Sequence, residues 1–332
     1  MVFFRFKPDH YPIYWQVAVA CAGTVTYFVS AIPQTLGLSR YKKFLQKYKD
    51  GKEEGLDDEL NEIIQKLGVE LDLEESTKQD IQPFITANMN PITKGNLEWR
   101  FSAIIGIPAT FLCKSVQDVK KSDLLVGGEE INWESKDGQN LADALTLSYR
   151  AKAFAIAREM EYSLSNSIVI ISAIRSLAII GAYCTGHFFN DRLQLKARLP
   201  RQMRVGMYTL FAGFYFLAYE VLKDTYICLL EAKADREAAK LHPNIGKGGL
   251  EYYEKLQKRN IALRNLLKKE GEAYYSLFGN EKHSLMKPHL TLTERTDIVK
   301  NIVDSFDYEK DLERRNALKE RRNIDLFANM RF

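Results

Sequence analysis

Five residues near the middle of the chain, Arg158-Glu159-Met160-Glu161-Tyr162, have the spacing of a hydrolytic zinc site without its ligands. A zinc-peptidase helix carries His-Glu-x-x-His, because residues four apart share a face and grip one metal while the Glu activates water. The Glu of that pattern is present as Glu159. Both imidazoles are absent: Arg158 and Tyr162 stand in their places. A guanidinium stays protonated, so Arg158 puts a permanent cation where a metal would sit. Tyr162 is a poor zinc ligand. His10, His187, His242, His283 and His289 are scattered, with no metal-binding spacing among them. The four cysteines, Cys21, Cys113, Cys184 and Cys228, form no Cys-x-x-Cys pair and are expected to pack as small hydrophobes. The chain also lacks a phosphate-cradling Gly loop and a Gly-x-Ser-x-Gly elbow. No catalytic residue, cofactor site or metal ligand is therefore expected.

Farther along comes a Glu-x-x-x-Asp pattern, Glu231 to Asp235, after two apolar runs. The order of strand, Glu-bearing helix, membrane hairpin and Glu-x-x-x-Asp helix resembles that of HtpX-type membrane metallopeptidases. In that family such a Glu is the third zinc ligand. The resemblance implies a degenerate metallopeptidase-like domain, with Arg158, Glu159, Tyr162, Glu231 and Asp235 as vestigial peptidase-like positions. The alternative reading is a divergent membrane-embedded metallopeptidase with an unusual metal site.

The elements that position these residues are dominated by long apolar runs. Residues 11–32 contain no charge, which is long enough to cross about 30 Å of hydrocarbon. Tyr11, Tyr14 and Trp15 supply an aromatic belt, and Pro33 ends the helix. Residues 166–189 form a second run broken only by Arg175, and residues 205–222 a third with Glu220 near its end. Between them, residues 190–204 form a basic loop with five Lys or Arg against one Asp. The fold class expected is a mainly α membrane protein with three transmembrane helices and an α+β soluble part. The division is a tail at 1–10, soluble α+β residues 33–165, a helical soluble region at 223–303 and a charged tail at 304–332.

Three spans place 33–165 and 223–332 on one side of the membrane. The basic loop, with Arg5 and Lys7, marks the other side as the inside by the positive-inside rule. The five basic residues of 40–49 argue the opposite, within a long domain where the rule is weaker. A lone arginine in lipid costs roughly 2.5 kcal/mol or more, so Arg175 should pair or snorkel, and Glu220 is its candidate partner.

In the soluble part, Leu60, Ile63, Ile64 and Leu67 give a helix that Asp57 or Asp58 caps. Residues 103–112 read as a buried or edge strand bent at Pro108. Residues 132–138 read as a turn, with helix from Gln139 towards the second span. Residues 242–249 read as a break before an amphipathic helix. Net charge is only +4, which gives no nucleic-acid-binding stripe.

Three stretches resemble the transmembrane protein 177 family: IIGIPATFL at 104–112, ALTLSYRAKAFAIARE at 144–159, and GGLEYYEKLQKRNIALRNLLKKEGEAYYSLFGN at 248–280. The resemblance implies a multi-pass protein of the mitochondrial inner membrane that acts without catalysis in cytochrome c oxidase biogenesis. Its implied partners are newly made oxidase subunit 2 and that subunit's membrane chaperone, besides membrane lipid. No cofactor is implied, and no family residues carry over as catalytic.

Overall fold

The computed structural model describes residues 11–49, 51–97, 102–122, 124–282 and 289–306. The N-terminal tail with Arg5 and Lys7, and all of the charged tail beyond residue 306, lie outside the described residues. The protein is mainly α-helical, and among the described residues three helices are long and apolar enough to cross a membrane.

These three helices are α1 (Tyr11–Ala31), α6 (Ser167–Arg192) and α7 (Arg201–Leu241). Several of their polar side chains are bonded within the bundle, as a hydrocarbon environment favours. Thr24 and Thr26 donate to the carbonyls of Ala20 and Ala22, four residues back, at 2.9 and 2.7 Å. Ser176 donates to the Gly23 carbonyl across the α1–α6 crossing at 2.8 Å. Gly181 and Gly186 of α6 leave room for the rings of Tyr215 and Tyr208 of α7. Small residues at crossings let helices approach closely, which is how membrane helices gain packing energy without a hydrophobic drive. Large apolar side chains such as Val29, Leu177, Leu210 and Phe214 point outward. The pairings make α1 and α7 both antiparallel to α6. The connection at 190–204 is more helical than a loop: α6 runs to Arg192, a short helix spans Leu195–Arg198, and α7 begins at Arg201. All four cysteines are free.

The chain leaves α1 through a 3-10 turn, Ile32–Gln34, and enters α2 (Leu38–Leu45). Helix α3 (Asp58–Glu70) is capped as its sequence predicts: the Asp57 side chain accepts from the Leu60 amide, and Leu60, Ile63 and Leu67 are buried. A three-stranded sheet follows, with strands β1 (Ile81–Thr86), β2 (Ile92–Gly95) and β3 (Ala103–Pro108). Strand β3 is central, parallel to β1 and antiparallel to β2. Of the two expected positions, buried or edge, the strand takes the buried one. Pro108 is tolerated because it is the last residue of the strand, opposite Thr86, where a missing amide interrupts no continuing ladder.

Helix α4 (Lys136–Leu145) starts earlier than the turn-rich sequence suggests, because the Ser135 side chain accepts from the Gly138 amide. The helix expected to run from Gln139 to the membrane is in fact two. Ser148 caps a separate helix, α5 (Tyr149–Ser163), and Asn166 precedes α6. After α7 the expected break at 242–249 shrinks to His242 alone, whose ring accepts from the Asn244 amide at 3.1 Å. Pro243 opens α8 (Pro243–Leu266), the first helical position that proline favours. The glycines there serve packing, not a turn. A Cβ on Gly248 would lie 2.3 Å from the Arg150 carbonyl oxygen, and one on Gly249 2.7 Å from the Phe154 ring. Close contact of α8 with α5 demands both. A further helix, α9, covers residues 292–306.

The core lies between the sheet and α3, α5 and α8. Phe154 is fully buried, with its ring centroid 6.1 Å from that of Tyr252 and 5.7 Å from that of Tyr253. Burying such a ring contributes about 1.5–3 kcal/mol.

Candidate functional site

At 41 residues, α7 is about 60 Å long, roughly twice the hydrocarbon thickness of a bilayer. Its first half is the apolar span. Its second half leaves the membrane and is buried against α5 and α8, with Leu230, Glu231, Ala234, Asp235, Ala238 and Ala239 inside. Glu231 and Asp235, four apart, share one face of that half. Glu159 and Arg158 come from α5, and Arg295 from α9. Together they form a buried cluster of charges.

Arg158 donates to Glu159 in a short ion pair, and its Nε lies 3.1 Å from Asp235 Oδ1 without an aligned hydrogen bond. Its Nη2 is 3.8 Å from Glu231 Oε1. From the opposite side Arg295 grips Asp235 with two parallel bonds: Nε to Oδ2 at 2.7 Å and Nη2 to Oδ1 at 2.8 Å. This bidentate fork is the strongest geometry available to an arginine and a carboxylate. Tyr253 donates its hydroxyl to the same Asp235 oxygen, and the Arg295 guanidinium lies 5.1 Å over the Tyr253 ring. Glu159 receives the Thr93 hydroxyl of β2 on its other oxygen at 2.7 Å. Glu231 accepts the Leu290 amide at 3.0 Å and pairs with His289 Nδ1 at 2.8 Å.

The electrostatics follow from this geometry. Burial and the nearby Arg295 pull the Arg158 guanidinium down, but Glu159, Tyr253 and Asp235 outweigh them, and it stays charged above its ordinary value. Burial would push the Glu231 carboxyl up. The His289 hydrogen bond and the charges of Arg295 and Arg158 override it and hold that carboxyl at about 2. The bond to Glu231 raises His289 above its ordinary value. Two guanidiniums face three carboxylates, and His289 pairs with Glu231. Burial, then the charges of Glu159 and Glu231, push the Tyr162 phenol up to about 12, so it stays neutral.

The structure thus brings together Arg158, Glu159, Glu231 and Asp235, with Tyr162 within their electrostatic reach. Their arrangement does not suit zinc. A cation built into the chain already lies among the carboxylates, and both oxygens of Glu159 are engaged. A cavity of about 280 Å³ opens beside the cluster, lined among others by Arg158, Glu231, Tyr252, Arg259 and His289. Sequence reasoning missed Thr93, Tyr253, His289 and Arg295. Thr93 is 66 residues from Glu159, and Arg295 is 60 from Asp235. No local pattern announces such pairs.

The membrane arginine has a different partner from the one its charge suggests. Arg175 donates from Nε and Nη2 to the Tyr219 hydroxyl, at 3.0 and 2.7 Å, and from Nη1 to Ser30 Oγ at 3.2 Å. Glu220 pairs with Lys223 instead. Successive residues of a helix point about 100° apart, and the rotation of α7 turns Tyr219, not Glu220, to the guanidinium. Arg175 and Glu220 do line the same cavity of about 540 Å³, together with Thr26, Ile179, Tyr215 and Phe216.

Comparison with known proteins gives one consistent result. The family model described as Transmembrane protein 177 matches residues 14–316. Human transmembrane protein 177 is 32% identical over 240 residues, 72% of this chain and 75% of that protein. The zebrafish protein of the same name, from Danio rerio, is 32% identical over 270 residues, 79% of this chain and 85% of its own. The Xenopus laevis one is 32% identical over 230 residues, 66% and 72% respectively. No solved structure matches.

Two outcomes are expected from this geometry. A raised histidine stabilises fully below its unfolded value of about 6.5 and loses that contribution as pH rises through its folded value. The melting temperature of the full chain in detergent should therefore exceed that of His289→Gln most near pH 6, with the gap narrowing at alkaline pH; a gap that widens with pH contradicts the pairing. In the membrane, Tyr219→Phe should cost about 1.5–3 kcal/mol by removing the acceptor of a charged donor. Glu220→Gln should change the melting temperature less, and the reverse order would restore Glu220 as the partner of Arg175.

Proposed function

The chain belongs to the transmembrane protein 177 family, and from that premise we propose that it is a non-enzymatic assembly factor of the mitochondrial inner membrane. It stabilises newly made cytochrome c oxidase subunit 2 together with that subunit's membrane chaperone. The observation that carries the non-enzymatic part is the position of Arg158. Its guanidinium pairs with Glu159 and lies within ion-pair distance of Asp235 and Glu231. A peptidase of this layout needs a metal among such carboxylates and a Glu free to polarise water. Arginine takes the first place, and Thr93 with Arg158 occupies the second.

A scaffold role also accords with the shape of the spans. The α1, α6 and α7 faces that point outward are apolar and rich in aromatic side chains, suited to meeting other membrane helices. The basic excess of residues 190–204 orients that end of the bundle to the matrix, so the large domain works in the intermembrane space.

Glu159→Gln tests this reading. The amide keeps an oxygen for one of its two donors, so a scaffold keeps working, whereas a metal-dependent hydrolase loses its general base. Expression of the variant in a null line should restore oxidase subunit 2 to the level that the native chain gives. Loss of rescue at normal protein abundance contradicts the non-enzymatic reading.

A further inference from the structure

Helix α2 emerges from the membrane bundle with its outer face uncovered. Its inner face is docked: Leu38 is buried and Leu45 partly so, against Phe84 of β1 and Ile104 of β3. The far end is pinned by Thr86, whose hydroxyl donates to the Leu45 carbonyl at 2.8 Å. The near end is pinned to the span, because the amides of Leu36 and Gly37 both donate to the Ile32 carbonyl, at 2.9 and 3.1 Å. Gly37 permits that turn: a Cβ there would lie 2.7 Å from the Pro33 carbonyl oxygen. The eight residues of α2 rise only about 11 Å. The whole helix is therefore held close to the membrane end of α1.

Docking fixes which residues face outward. Phe44 is 86% exposed and Leu36 is 75% exposed, beside the exposed Arg40 and Lys43. Two large apolar side chains next to two cations make a poor aqueous surface. They suit the boundary of a bilayer, where rings insert among acyl carbonyls and cations meet phosphates. Residues 11–49 contain no Asp or Glu, and although Lys47 pairs with Glu54 at 3.1 Å, Arg40 and Lys43 stay exposed beside Phe44.

We propose that the outer face of α2, formed by Arg40, Lys43 and Phe44 with Leu36 before it, lies in the headgroup layer of a leaflet containing anionic phospholipid. Continuity with α1 sets the location, and the acid-free basic segment selects the lipid charge. The inference depends neither on the oxidase role nor on which leaflet the domain faces. It gives Arg40 and Lys43 a use other than setting orientation, and it fixes the tilt of the soluble domain against the bilayer.

The test uses the full chain with Cys21, Cys113, Cys184 and Cys228 replaced by Ala, and a bimane label on Phe44→Cys. The protein is reconstituted into phosphatidylcholine vesicles with or without phosphatidylglycerol. In anionic vesicles, lipids carrying a nitroxide near the headgroup should quench the label, and aqueous iodide should not. Arg40→Gln and Lys43→Gln should each weaken the surface equilibrium about fivefold. Iodide quenching without nitroxide quenching overturns the proposal. Equal nitroxide quenching with and without phosphatidylglycerol overturns the choice of anionic lipid. A photo-crosslinker at position 44 that attaches to a protein rather than to lipid in native membranes overturns the choice of occupant.

Discussion

The Arg158 guanidinium, buried among Glu159, Glu231 and Asp235, is the interaction on which the soluble domain depends. Three buried carboxylates from two helices would repel one another and lose hydration, a cost of several kcal/mol per ion. Arg158 and Arg295 supply the compensating charge from inside the fold, and Tyr253, Thr93 and the Leu290 amide satisfy the remaining oxygens. Matching these charges favours the packing of helices α5, α7 and α9 and strand β2. A metal ion would serve the same electrostatic need. Here a side chain serves it, fixed in place by covalent bonds and independent of metal supply.

The cluster is joined to the membrane by one uninterrupted helix. Glu231 and Asp235 ride on the same α7 that carries Tyr208, Tyr215 and Tyr219 in the span. The rotation that points Tyr219 at Arg175 also sets the direction of Glu231, twelve residues on. Small residues and hydroxyls tie α7 to α6 and α6 to α1, and α2 ties the other end of α1 to the sheet. Bundle and domain are thereby linked three times, through the α1–α2 corner, through the α5–α6 junction at residues 164–166 and through α7.

The sequence showed the spans clearly, since an apolar run of about 20 residues with at most one charge matches the thickness of a bilayer. It also showed the α3 cap at Asp57 and the shared face of Glu231 and Asp235, both of which are local. It misjudged residues 242–249, where glycines that read as a break lie inside α8, because the distance between packed helices leaves no trace in local composition. Pro108 left buried and edge positions open for the same strand: the sequence shows the proline but not that the strand ends on it. Charge alone chose Glu220 for Arg175, while the helix rotation chose Tyr219. His289 and Arg295 come from a distant helix and the segment before it, and only the fold brings them to Glu231 and Asp235.

The most direct measurement is the melting temperature of the full-length protein in detergent for Arg158→Leu, alone and combined with Glu159→Gln. Removing one member of a buried charge set typically costs about 3–5 kcal/mol, whereas removing the opposing charge with it returns much of that. If Arg158 is the cation around which the carboxylates assemble, the single variant should melt on the order of 10 °C lower. The paired variant should recover a large part of that loss. A single variant that melts with the native protein would contradict this account of the fold.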